Sequence, residues 1–125
     1  MGRGKTIGLM LLLGSAMLVP AALAHRGSAP KLVGKPKAGR ALFNSTCAAC
    51  HTLKAARSKG PIGPNLDRHP LSEAKLIKAI TYGGATIMTP IQRAHYTTKM
   101  PAFKRILSRV VIRDIAAFVY VSTHH

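Results

Sequence analysis

Two thiols and an imidazole stand together at Cys47-Ala48-Ala49-Cys50-His51, and the pair accounts for both cysteines of the chain. Three kinds of chemistry use such a group. A zinc site takes four nitrogen or sulfur donors, usually as two separated pairs, and the sequence holds no second cysteine pair. A thioredoxin-like redox couple belongs in an alternation of strands and helices, which these 125 residues do not show. The third is covalent attachment of a c-type haem, for which Cys-x-x-Cys-His is the known signature. Thiols at this spacing lie close together at a helix end, where each can add to one haem vinyl group. The next residue, His51, is then carried under the iron as an axial donor. A plain disulfide would account for the cysteines but leave His51 without a role.

A thioether opposite a histidine raises the reduction potential of haem iron. Met1, Met10 and Met17 lie in the N-terminal segment, which leaves Met88 and Met100. His69, His95 and the terminal His124 and His125 are the other donors by type.

Three helices are needed to position these groups, and the pattern supplies them. Gly39 and Phe43 sit one turn apart on a shared face, with Pro36 just ahead, where a missing N–H costs nothing. Leu76, Ile77 and Ile80 line one side of a segment from Ser72 to Tyr82. Ser72 caps it, Glu73 suits its positive end, and Gly83-Gly84 stops it. Val111, Ile112, Ile115, Phe118 and Val119 recur at helical spacing after Ser108, a second N-cap.

Aromatic residues are scarce, with no Trp, 3 Phe and 3 Tyr, so an all-protein core would be thin. Arg3 and Lys5, the apolar run Ile7 to Val19, Pro20 and Ala22-Leu23-Ala24 read as an export segment over 1–24, removed or kept as an anchor. Residues 25–37 are rich in Gly, Pro and Lys and read as a leader, with the folded domain over 38–125.

From Gly39 to Tyr120 the chain resembles the small, soluble class I monohaem cytochromes c. Four segments carry the resemblance: Gly39-x-x-x-Phe43-x-x-x-Cys47, Cys47 to His51, Gly63-Pro64-Asn65-Leu66, and Met100-Pro101-Ala102-Phe103 followed by a terminal helix. It implies an all-α, cytochrome c-like fold of three or more short helices around one haem c, attached through Cys47 and Cys50. It also implies His51 and Met100 as iron ligands, a hydrogen bond from the His51 imidazole to the Pro64 carbonyl, and a helix crossing at which Gly39 and Phe43 meet Ile115 and Phe118. An ordinary Gly-Pro turn would explain Gly63-Pro64 equally well.

The chain departs from the family pattern in one place. The family ligand follows the glycine-rich helix end closely, as Met88 does here, whereas Met100 comes after a stretch from Ala85 to Lys99. We read this stretch as an insertion, a lid or a docking loop, placed ahead of the ligand. Met88, His95, His69 and an open position remain the alternatives to Met100.

With both axial positions filled by protein, iron has no vacancy for oxygen or peroxide, and one-electron exchange remains. The expectation is an exported electron carrier rather than an enzyme, in the periplasm or on the outer face of the cytoplasmic membrane. The alternative is a haem enzyme or gas sensor with a labile distal ligand.

The chain carries 19 Lys and Arg against 3 Asp and Glu, a formal charge of +16. That suits acidic redox partner proteins or membrane complexes, a membrane tether, or an anionic surface. Export and the lack of any nucleic-acid motif exclude nucleic acid. Lys54, Arg57 and Lys59 follow the cysteine motif, while Lys99, Lys104, Arg105, Arg109 and Arg113 surround and follow Met100. Arg109 and Arg113 fall in the first turns of the last helix, where its dipole disfavours cations.

Overall fold

Pro36 presets the backbone angle of the first helical position, and α1 (Pro36–Thr46) starts there in a computed structural model that describes Gly2 and residues 31–125. Apart from Gly2, the export segment expected over 1–24 and the leader as far as residue 30 lie outside the described residues. The rest of the leader is tied down. Glu73 accepts the backbone N–H groups of Val33 and Gly34 at 3.0 and 3.3 Å, and Asp114 accepts that of Lys35 at 2.7 Å. Helix α1 therefore begins two residues ahead of Ala38, on a chain already held at both carboxylates.

After α1 come an antiparallel two-residue pair, β1 (Thr52–Leu53) and β2 (Ser58–Lys59), and then α2 (Glu73–Tyr82), α3 (Pro90–His95) and α4 (Arg109–Thr123). The β pair brackets a 3-10 turn that ends at Arg57, a non-glycine residue with φ of 56°. Strands this short carry no periodicity, so the sequence offers nothing to read there. Ser72 and Ser108 cap α2 and α4 as expected, accepting from Lys75 and Val111 at 3.3 Å. Gly83 closes α2 at φ of 96°, a conformation that favours glycine.

Helices α1 and α4 cross face to face. An α carbon without a side chain makes this possible: a Cβ on Gly39 would run into the Asp114 carbonyl and stand 2.8 Å from the Phe118 Cβ. One turn on, Phe43 meets Phe118 edge to face at 5.8 Å between ring centroids, with Ile115 buried beside them. Helix α2 packs on α4 through Leu76 and Ile80. Of the stripe read from the sequence on α4, Ile112, Ile115, Phe118 and Val119 are buried and Val111 half-buried, and Asp114 is buried with them. Its carboxylate holds the N-cap residue of α1, so a polar group inside the packed face serves the neighbouring helix.

No helix among the described residues is long and apolar enough to cross a membrane.

Gly39→Ala tests the crossing. Alanine in an open helix gains up to about 1 kcal/mol over glycine. Here the clash is with backbone, which cannot rotate away, so we expect a net loss of about 1–3 kcal/mol. Urea unfolding followed by far-ultraviolet circular dichroism reads the sign.

Candidate haem site

The turn that carries the two cysteines is hydrogen-bonded before anything binds it. Cys47 donates its N–H to Phe43 at 2.8 Å, ending α1, and His51 donates to the Cys47 carbonyl at 3.0 Å. Gly63 donates to the Cys50 carbonyl at 2.8 Å, which brings the Gly63-Pro64 segment against the motif. The His51 Nδ1 then lies 2.9 Å from the Pro64 carbonyl oxygen. A carbonyl can only accept, so Nδ1 carries the proton and Nε2 of the neutral ring keeps its lone pair free. This fixes the tautomer suited to ligating a metal through Nε2.

Gly63 has a further role in the placement of that ring. A Cβ there would stand 2.5 Å from His51 Cε1 and 2.8 Å from Nδ1, so the backbone at Gly63 lies directly against the imidazole. Gly60 is similar: its Cβ would approach the Cys50 and His51 backbone at 2.5 and 2.6 Å. Gly63 belongs to a motif visible in the sequence, whereas the close approach at Gly60 has no local signature there.

Met100 reaches the site by another route. Its carbonyl accepts from Gly84 at 3.3 Å, while Phe103 and Lys104 donate to Ile80 and Thr81 at 2.9 and 3.3 Å. The segment is thus laid along the end of α2, and the Met100 sulfur lies 3.5 Å from where a Gly84 Cβ would be.

Cys47, Cys50, His51, Pro64 and Met100 all line one cavity of about 550 Å³. Its walls include Phe43, Leu76, Ile80, Ile115 and Val119 from the three longer helices. Met88, His69 and His95 line it as well, whereas His124 stacks on Tyr120 at 4.1 Å and is not among its walls. Asn65 accepts the Asp67 N–H and caps a short 3-10 turn, and Leu66 faces the cavity.

The stretch from Ala85 to Lys99 is itself structured. Thr89 and Gln92 form a reciprocal capping box at the start of α3. Lys99 closes the other end, its ammonium donating to the Arg93 and Tyr96 carbonyls at 2.6 and 2.9 Å. Ile87, Ile91 and Tyr96 thereby form one wall of the cavity, with Ile91 84% exposed at its mouth.

Both thiols are free, and the described residues contain no cluster of three or more His, Cys, Asp or Glu side chains that could hold a metal ion. Burial, helped by the neighbouring Cys50, pushes the Cys47 thiol up to about 11, so it stays uncharged at neutral pH. Pockets enclosing organic cofactors run at roughly 300–1,000 Å³, and the cavity falls within that range. Two thiols, an imidazole with a free Nε2, a thioether and aliphatic walls fit a covalently held haem; they do not fit a protein-only zinc site.

Comparison with known proteins agrees. The family model described as cytochrome C oxidase, cbb3-type, subunit III, matches residues 34–119. Among solved structures the chain is similar to the c-type cytochrome SorU from Sinorhizobium meliloti. The identity is 29% and the TM-score 0.53, over 70% of this chain and 90% of that one. No curated protein matches the chain. The all-α, cytochrome c-like architecture expected from the sequence is the one it adopts.

Gly63→Ala should displace the His51 ring and break its bond to Pro64. We expect a lower yield of pigmented protein and a shifted visible spectrum in what remains.

Proposed function

The chain belongs to the c-type cytochrome family described as cytochrome C oxidase, cbb3-type, subunit III, and from that premise we propose that it is an exported monohaem carrier of single electrons. Cys47 and Cys50 would hold one haem c by thioether bonds, and His51 and Met100 would ligate its iron. When bound, the haem supplies Fe(III)/Fe(II) exchange. The chain's own residues set the conditions for that exchange. Pro64 holds the imidazole in one orientation and tautomer, and the contact with Gly84 positions the thioether. The aliphatic walls exclude water, so the ligands need little rearrangement as the charge changes.

The observation that carries this reading is convergence: a tautomer-fixed histidine, two thiols and a thioether line one apolar cavity. Met100 is preferred to Met88 because it lies within the motif shared with the family and its backbone is bonded to Gly84.

The acceptor and donor are acidic redox proteins or membrane complexes, and the family description favours a respiratory complex. Lys54, Arg57 and Lys59 beside the cysteine turn, with Lys99 in the cavity wall, supply positive charge for steering. The protein works in the periplasm or at the outer face of the cytoplasmic membrane.

Oxidised and reduced absorption spectra, taken with the mass of the chain, test the assignment. The native protein should weigh one haem more than its polypeptide, show a weak far-red sulfur-to-iron band when oxidised, and refuse carbon monoxide when reduced. Met100→Ala should lose the band and bind carbon monoxide. A band that survives in this variant would reassign the ligand, and rapid carbon monoxide binding by the native protein would favour a haem enzyme or gas sensor.

Electron transfer to an acidic partner should slow by roughly tenfold or more between low salt and about 0.3 M salt, as steering is screened. Stopped-flow absorbance gives the rate.

A further inference from the structure

A second concavity, of about 730 Å³, opens between α2 and the start of α4 and shares no lining residue with the redox cavity. Lys104, Arg105, Arg109 and Arg113 line it, over an apolar floor that includes Ile77, Leu107 and Ile112. The acidic side chains of the chain are Asp67, Glu73 and Asp114. Each of those carboxylates accepts backbone N–H groups elsewhere, and none lines the groove. Lys104 stands 5.2 Å above the Tyr82 ring, a contact that leaves its charge uncompensated. Arg109 also opens a 15-residue helix, at its positive end. Four like charges in one groove are unfavourable in isolation, and an anion relieves them.

The segments that supply the cations also carry exposed aliphatic side chains. Ile106 is 71% exposed next to Arg105, and Val110 is 63% exposed next to Arg109. Cations interleaved with protruding aliphatics suit a surface that is anionic outside and hydrocarbon beneath. We propose that this groove and its aliphatic flank dock the protein on an anionic lipid bilayer. The guanidinium groups meet headgroup phosphates, and Ile106 and Val110 enter the boundary with the acyl chains. This contact uses none of the residues around the redox cavity and holds whether or not Met100 is the iron ligand.

Co-sedimentation of the haem-loaded protein with vesicles tests the proposal. Equimolar phosphatidylglycerol and phosphatidylcholine vesicles should bind it, and phosphatidylcholine alone should not. Arg105→Gln with Arg109→Gln should weaken binding by about 30-fold, corresponding to two surface cations at about 1 kcal/mol each. Lys54→Gln with Lys59→Gln, an equal loss of charge elsewhere, should cost less than about threefold. Ile106→Ser with Val110→Ser should bind at low salt and release near 0.3 M salt, where the native protein stays bound. An unchanged visible spectrum shows that each variant is folded. The proposal is overturned if the arginine variant binds like the native protein or if both charge variants lose binding equally. It is also overturned if the arginine variant keeps the vesicles but loses salt-sensitive electron transfer to an acidic protein, which would make the groove a protein-docking face.

Discussion

Helix α1 delivers the cysteine turn and α4 closes the core behind it, and the two can meet only because Gly39 presents no side chain to the Asp114 carbonyl. If the helices moved apart by the width of one methyl group, the Phe43–Phe118 contact would open and the Cys47 end of α1 would swing away from Leu76 and Ile80. The geometry around His51 therefore depends on a contact well removed from it. Packed interiors pass such displacements on because they hold few voids to absorb them.

The parts of this molecule legible in the sequence are those in which a local pattern has a local cause. The α4 stripe, the serine caps and the glycine stop after Tyr82 each follow from a few neighbouring residues, and the structure has them all. The cysteine turn and the Gly-Pro segment were readable as motifs, but their hydrogen bond through Pro64 was not separable from an ordinary turn until the distance was known. Contacts between residues far apart in the chain left no trace. Glu73 on Val33 and Gly34, Asp114 on Lys35, and Gly60 against the cysteine turn are invisible to periodicity. The capping box of α3 was legible in principle, since Thr89 and Gln92 stand at the required spacing. A six-residue helix is too short for its hydrophobic pattern to announce it.

With three acidic side chains and nineteen basic ones, the chain spends each Asp and Glu on backbone N–H groups rather than on side-chain charge. Buried or capping carboxylates are worth more to the fold than exposed ion pairs, which typically contribute under about 1 kcal/mol. The cost is a surface whose positive charge has little internal counterweight, and two concavities each take a part of it. Lys99 belongs to the wall of the redox cavity, whereas Lys104, Arg105, Arg109 and Arg113 belong to a groove on the other side of α2.

The bond from Gly84 to the Met100 carbonyl has a meaning beyond the placement of a thioether. It joins the two ends of the stretch that contains α3, so that everything between them is a side trip whose start and finish are stapled together. Lengthening or shortening such a detour changes closure entropy only slowly, by about 0.6 kcal/mol per doubling of length. Descendants of this chain can therefore remodel the mouth of the cavity freely, lose the little helix or grow a larger one, and still bring the same sulfur to the same address.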